Sequence, residues 1–121
     1  MDFVHHGLAA YEAGQFDEAA RAFDAALAGD PTDGRAAFGL GLVNFNAGRM
    51  GQALAFFERS ARFETDDPAP FNELGRIYQK FGDYEKAEKL FRHALSIDPE
   101  NVPSMANLGM ALLNLGDIDA A

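Results

Sequence analysis

The stretch that decides the fold runs from Phe71 to Pro99 and reads FNELGRIYQKFGDYEKAEKLFRHALSIDP. Apolar side chains follow helical spacing in its first part, which stops at Gly82, a residue type suited to a left-handed helix C-terminus. A second amphipathic run begins at Tyr84 and is closed by Pro99. The stretch therefore predicts two helices joined by a tight turn.

The same pattern recurs every 34 residues along the chain. Four columns share this period: Gly7, Gly41, Gly75 and Gly109; Gly14, Gly48, Gly82 and Gly116; Ala19, Ala53, Ala87 and Ala121; Phe23, Phe57 and Phe91. Because a glycine inside a helix costs about 1 kcal/mol relative to alanine, the first column predicts close approach of the paired helix. We expect the alanines to face these glycines and the phenylalanines to fill the gap to the next repeat.

The motif F-x-x-L-G-x-x-Y of residues 71–78, followed by A-x-x-x-F at 87–91 and by Pro99, resembles the tetratricopeptide repeat, with phenylalanine in place of the usual tryptophan. The resemblance covers the whole chain. It implies an all-α fold, a right-handed superhelical solenoid of antiparallel helix pairs with about seven helices. It also implies a single domain, 1–121, with repeats at about 1–33, 34–67 and 68–101 and a partial fourth repeat at 102–121.

Several residues are predicted to start helices. Asp83 and Asp117 are expected N-caps of second helices, and Gln15 and Arg49 are weaker ones. Pro68 and Pro103 fit the first turn of a helix, where a missing N–H costs nothing.

Composition excludes some classes of partner. Nineteen acidic residues against ten basic ones leave a formal net charge of −9, which argues against nucleic acid and anionic membrane surfaces. No apolar run approaches the roughly 18 residues of a transmembrane helix, so membrane insertion is not expected. Patterned sequence begins directly after Met1 without a secretory signal, which favours a cytoplasmic location.

No arrangement of residues predicts catalysis, a cofactor or a metal site. Cysteine is absent, and the neighbouring His5 and His6 would point about 100° apart on a helix, too divergent to chelate together. The carboxylates at helix starts are explained by the helix dipole, and the glycines by the repeat period. We therefore predict that the chain is not an enzyme.

The resemblance implies a concave groove lined by the first helix of each pair. The positions that resemble the family's groove form an apolar N-terminal half and a polar C-terminal half. The apolar half contains Leu8, Tyr11, Phe38, Leu42 and Phe45, and the polar half contains Asn72, Arg76, Gln79 and Lys80. Arg35 is a further groove position in the second repeat. Asn107 and Asn114 occupy similar positions on the last helix. Packing between helices is an alternative role for Phe38 and Phe45.

The best-known groove chemistry of the family is a carboxylate clamp for the acidic C-termini of chaperones. The matching positions here carry Val4, Leu8, Gly39, Ala69 and Glu73. None of these side chains can donate as the clamp requires, so chaperone tails are not expected to bind.

The leading interpretation is a non-catalytic scaffold that binds a partner peptide or helix in the groove. Two alternatives stay open: a self-assembling structural module, and a targeting or regulatory domain cut from a larger protein or enzyme. The last helix is mostly apolar, which predicts an open C-terminal face and homo-oligomerisation through it.

Overall fold

The structure, a computed structural model, describes residues 2–120, with side chains described as far as residue 116. Every regular element in this range is a helix, which confirms the all-α prediction. The seven helices are α1 (Phe3–Glu12), α2 (Phe16–Gly29), α3 (Gly34–Asn46), α4 (Met50–Phe63), α5 (Pro68–Lys80), α6 (Tyr84–Ile97) and α7 (Val102–Ala120). We call α1, α3, α5 and α7 the first helices and α2, α4 and α6 the second helices.

The helices form two compact units. The N-terminal unit, Met1–Glu64, contains α1 to α4, and the C-terminal unit, Thr65–Ala121, contains α5 to α7. In each unit, successive helices pack against each other, and the first helices also touch: α1 contacts α3, and α5 contacts α7. Because the first helices of a unit touch, their side chains that are not buried in the core lie side by side on one surface of the unit.

Glycine turns join each first helix to its second helix. Gly14, Gly48 and Gly82 have φ angles of 77°, 79° and 84°, the left-handed region in which a side chain would be strained. The residue after each turn donates its N–H back into the last turn of the preceding helix, as from Gln15 to the Ala10 carbonyl at 2.9 Å. The predicted turns after α1, α3 and α5 are confirmed.

The helix starts match the sequence in most cases. Asp83 caps α6 by accepting from the Lys86 N–H, Pro68 begins α5, and Pro103 lies in the first turn of α7. Gln15 and Arg49 occupy N-cap positions without a capping hydrogen bond from the side chain.

The prediction for the last turn is wrong. Helix α7 continues from Val102 to Ala120, so Gly116 does not end a helix and Asp117 does not begin one. A turn at Gly116 would leave backbone hydrogen bonds of α7 unmade. Within the described residues, no second helix follows to compensate for them.

The interior glycines admit the phenylalanine rings of the second helices. A Cβ atom added at any of these glycines would come within 3.0 Å of a ring atom, closer than real Cβ atoms approach: Gly7 with Phe23, Gly41 with Phe57, and Gly75 with Phe91. All three rings are fully buried. The predicted close approach is confirmed at these three glycines, although the nearest side chain is the phenylalanine ring and not the alanine column. Gly109 has no such neighbour, and Ala121 lies outside the described residues.

One of these rings also reaches the following repeat. A Cβ atom at Gly39 in α3 would collide with Phe23, which therefore lies between α1 and α3. Phe23 forms a cluster of buried side chains with Ala19, Leu40 and Val43. In the N-terminal unit, the predicted filling of the gap between repeats is confirmed.

Gly75 and Gly109 occupy the same repeat position in different surroundings, which makes them a matched test. Gly75→Ala should lower the free energy of unfolding by roughly 1–3 kcal/mol, because the new methyl group collides with the buried Phe91 ring. Gly109→Ala meets no atom within 4 Å, and it should raise the free energy of unfolding by up to about 1 kcal/mol through helix propensity. Urea unfolding followed by circular dichroism measures both, and equal stability of the two variants would contradict this packing.

Candidate functional site

The apolar residues predicted for binding lie on α1 and α3 of the N-terminal unit. Leu8 and Tyr11 are partly buried and pack against the cluster that contains Phe23. Leu42 and Phe45 are likewise partly buried on α3, and Arg35 is exposed near its start. These side chains therefore contribute to packing and keep part of their surface accessible.

Tyr11 is positioned by two contacts. Its hydroxyl oxygen accepts a hydrogen bond from Asn46 Nδ2 at 3.0 Å, which joins α1 to α3. Its ring meets the Phe16 ring edge-on, with centroids 5.3 Å apart. The ring is thus fixed in orientation, and little entropy would be lost if a ligand packed on it.

Phe38 has the packing role that was expected from the sequence as an alternative, and its role in binding stays a prediction. Its ring lies 5.3 Å from that of Phe57, the fully buried ring that α4 packs on Gly41. Phe38 itself is only partly buried. One part of its ring supports the core, and the remainder is exposed.

In the C-terminal unit, Asn72 has a packing role that the sequence did not reveal. It is 7% exposed, and its side-chain carbonyl accepts from Asn107 Nδ2 at 2.9 Å and from Ser104 Oγ at 3.3 Å. These bonds connect α5 to α7. Asn72 therefore positions Asn107, and its carbonyl is already occupied.

Arg76 is held by Glu73, one turn earlier on α5. Its Nη1 donates to both carboxylate oxygens, the shorter distance being 2.9 Å. Burial raises the pKa of the Glu73 carboxyl above its ordinary value of 4.5, and the Arg76 charge opposes that shift. Desolvation is the larger effect.

Five of the polar residues predicted for the groove meet at one cavity in the C-terminal unit. The cavity has a volume of about 380 Å³ and is lined by Arg76, Gln79, Lys80, Tyr84, Asn107 and Asn114. Gln79 Oε1 is buried and has no hydrogen-bond partner. Tyr84 was missed because it starts a second helix, although the large residues Phe16 and Met50 at the same repeat position were a signal.

Helix α7 exposes apolar side chains, as its composition predicted. Met110, Leu112 and Leu113 are 51%, 43% and 64% exposed. Ala111 on the same helix is fully buried against Phe91 and Ala87 of α6. One side of α7 is therefore packed, while other parts of its apolar surface face solvent.

The described residues also bear on metal binding and on membrane insertion. They contain no group of three or more histidine, cysteine, aspartate or glutamate residues arranged to hold a metal ion. Nor is any described helix long and apolar enough to cross a membrane.

Helix pairs with a 34-residue period, glycine turns and ring-on-glycine contacts define a helical repeat protein. Residues 5–70 and residues 78–121 each match the tetratricopeptide repeat family. The first match spans more than half of the chain, and the chain belongs to this family. The prediction made from the motif at 71–99 is thereby confirmed.

Three known proteins illustrate the similarity. "Protein CTR9 homolog" of Arabidopsis thaliana is 31% identical over 105 residues, which are 86% of this chain and 10% of that protein. The first tetratricopeptide repeat domain of Spaghetti (RPAP3), bound to the HSP90 peptide SRMEEVD, superposes with a TM-score of 0.87 at 16% identity, covering 94% of this chain and 90% of that one.

The third is the Yersinia enterocolitica type III secretion chaperone SycD in complex with a peptide of the translocator YopD. Its TM-score is 0.82 at 18% identity, over 92% of this chain and 90% of that one. At these identities the two structures show the shared fold. The chain spans about a tenth of the CTR9 homolog and similarly small parts of other curated relatives.

The Glu73 carboxyl gives the site a testable pH dependence. A raised pKa in the folded state means that this group favours folding below pH 4.5, and that this contribution is lost as pH rises through the folded-state pKa. Glu73→Gln cannot ionise, so its stability relative to the unmodified protein should increase from acidic to neutral pH. Urea unfolding across this range tests the sign, and a difference that is constant or moves the other way would contradict it.

Proposed function

We propose that the chain is a non-catalytic interaction module that binds a partner peptide or helix through its first helices. The observation that carries the proposal is the pair of oriented, partly exposed aromatic side chains Tyr11 and Phe38 on the neighbouring helices α1 and α3. Aromatic anchors commonly dominate peptide interfaces, at about 2 kcal/mol or more each. Leu8 and Leu42 extend this apolar surface.

The C-terminal unit supports the proposal with different chemistry. Its cavity presents Arg76, Gln79 and Lys80, which suit a polar or acidic portion of the ligand. Two structural neighbours are described with bound peptides, which supports a peptide as the ligand class. The partner itself is to be identified by experiment.

Local structure also supports the expectation that chaperone tails are not the ligand. The clamp requires a side-chain amide at the position that Gly39 occupies here. Gly39 lies so close to the Phe23 ring that a Cβ atom at this position would collide with the ring. Val4, at another clamp position, is 5% exposed. An asparagine or lysine at either place would disturb the core of the N-terminal unit.

Self-association is the second candidate function. It is favoured by the exposed side chains Met110, Leu112 and Leu113 on α7, since an apolar surface on a repeat protein suits a further helix. A module of a longer repeat protein is consistent with the small fraction of each relative that the chain spans. In self-association and in a longer repeat protein alike, α7 would form the contact surface, whereas the leading proposal assigns the contact surface to α1 and α3.

Peptides selected from a random displayed library against the intact chain provide a defined ligand for the test. Phe38→Ala and Tyr11→Ala should each weaken binding of the selected peptides by more than about tenfold, because each removes an aromatic anchor. Fluorescence anisotropy with labelled peptide measures the affinity, and circular dichroism confirms that helicity is retained.

Two control variants separate this outcome from loss of packing and from the second candidate. Phe56→Ala removes a partly buried ring that packs on the same core cluster from a second helix, and it should leave affinity within about twofold. Leu113→Gln changes the exposed surface of α7 and should have no effect. The proposal would be overturned in favour of α7 if the selected peptides bound the Phe38→Ala and Tyr11→Ala variants with unchanged affinity but no longer bound the Leu113→Gln variant.

A further inference from the structure

Helix α5 shows which side of a first helix receives the second helix of its pair. Phe71 meets the His93 ring of α6 edge-on, with ring centroids 4.3 Å apart. Gly75 lies against the buried Phe91 ring, and Tyr78 packs on the cluster that contains this ring. Phe71, Gly75 and Tyr78 therefore define the face of α5 that packs against α6.

The counterpart of this face on α7 is exposed. Three residues lie 34 positions after those of α5, and a glycine one turn later continues their row: Met105, Gly109, Leu112 and Gly116. We call these four residues the α7 seam. Met105 and Leu112 are 46% and 43% exposed, and a Cβ atom added at either glycine would meet no described atom within 4 Å. The seam thus continues the interface that packs α6 on α5, but its side chains face solvent.

The seam lies in the longest uncharged stretch of the chain. Residues 101–116 contain no aspartate, glutamate, lysine or arginine, whereas the whole chain carries a formal net charge of −9. Two copies of an acidic protein repel each other, and the repulsion is smallest where both present a neutral face. A basic partner gains nothing from this stretch, because it offers no carboxylate for pairing. The charge pattern therefore favours a second copy over a partner selected by charge.

Large and small residues alternate along the α7 seam in an order that is complementary to itself. The spacings of 4, 3 and 4 residues are the heptad spacing by which two helices pack along one line. When a second α7 runs antiparallel, Leu112 of each copy falls over Gly109 of the other copy. Met105 of each copy then falls over Gly116. In a parallel pair the large residues would meet each other and the glycines would face glycines, which leaves voids.

We infer that the α7 seam binds the α7 seam of a second copy of this chain, antiparallel about a twofold axis, with each Leu112 packed on the Gly109 backbone of the other copy. The inference rests on self-association, the second candidate function, and adds the partner, the orientation and the register. Leu112 then covers Gly109 as the Phe91 ring covers Gly75 inside the C-terminal unit.

An isologous contact of this kind closes after two copies, because each seam is used once. One helix of each chain contributes to it, so the buried area falls below the ~1,200 Å² at which stable interfaces begin. The dimer is therefore reversible, with a Kd expected between about 10 and 100 µM.

Sedimentation equilibrium of the intact chain tests the stoichiometry. Between about 1 and 500 µM, the mean mass should rise from that of one chain to that of two and no further. Raising the salt concentration should tighten the dimer, because salt screens the repulsion between two chains that each carry a net charge of −9.

A pair of charged variants tests the orientation. Gly109→Asp and Leu112→Lys should each weaken the dimer of that variant by more than about tenfold, because a charge is placed against an apolar seam. An equimolar mixture should form a dimer with one copy of each variant, to within about threefold of the unmodified affinity. In the antiparallel register the new aspartate meets the new lysine at one crossing, and the other crossing keeps its leucine over glycine.

Two matched variants on α4 control for changes in fold and in net charge. Gly51→Asp makes the same substitution at a glycine whose added Cβ atom would also meet no described atom within 4 Å. Phe63→Lys replaces an apolar side chain that is 41% exposed, close to the 43% of Leu112. Both control variants should keep the dimer affinity within about twofold. Circular dichroism should show unchanged helicity for all four variants.

A second helix is the other occupant that this face would take. A peptide with the α6 sequence, Tyr84–Ile97, offers the Phe91 ring to Gly109 in place of Leu112. When it is added in excess, the dimer should stay intact. Dissociation of the dimer by this peptide, but not by its Phe91→Ala version, would overturn the inference in favour of a second helix.

A chain that stays monomeric at about 500 µM, or that grows beyond two copies, would also overturn the inference. So would a mixture of the charged variants that recovers no dimer. Dimerisation that tolerates both charged variants but is lost with Leu113→Gln would reject the register and retain self-association through α7. Monomers that still bind selected peptides through Phe38 and Tyr11 would reject self-association and leave the leading proposal in place.

Discussion

The contact between a phenylalanine ring and a helix backbone without a side chain is the constraint on which each helix pair depends. A ring from the second helix lies so close to the first helix that only glycine fits opposite it, at Gly7, Gly41 and Gly75. Each of the three second helices buries one phenylalanine ring fully in the core: Phe23, Phe57 or Phe91. The first helices keep several large side chains partly exposed, among them the proposed anchors Tyr11 and Phe38.

The two units use this arrangement with different chemistry. In the N-terminal unit, Phe23 lies between Gly7 and Gly39, which brings α1 close to α3 and sets Tyr11 within reach of Asn46. In the C-terminal unit, the contact of α5 with α7 is made by Asn72, Ser104 and Asn107. The polar contact between α5 and α7 lies beside a cavity lined by cations and amides. The contact of the Phe23 ring with α1 and α3 lies beside an apolar surface.

Much of the fold could be predicted because its determinants are local and periodic. Turn glycines and helix-start residues act within a few positions of the chain, so Gly14, Gly48, Gly82 and Asp83 were found from spacing alone. The same turn signal at Gly116 was wrong, because α7 continues as a helix to Ala120. Which side chain packs closest to each interior glycine also depends on side-chain rotamers, and a periodic sequence pattern does not specify rotamers.

The site was predicted less completely for a similar reason. Asn72 occupies a polar position on an amphipathic helix, and its burial results from α7, 32 and 35 residues further along the chain. Tyr84 joins the cavity from the start of a second helix, outside the positions that line the family's groove. The anchors Tyr11 and Phe38, and the polar residues Arg76, Gln79 and Lys80, remain predictions as binding residues.

Native-state hydrogen exchange of the backbone amides tests the central claim most directly. If the ring contacts hold each helix pair together, amides of α5 around Gly75 should open only with free energies close to that of global unfolding. Amides of α7 around Gly109, where no ring is in contact, should open with clearly smaller free energies. Equal protection of the two segments would contradict the account, because it would show that the ring-on-glycine contact does not determine the stability of the helix pairs.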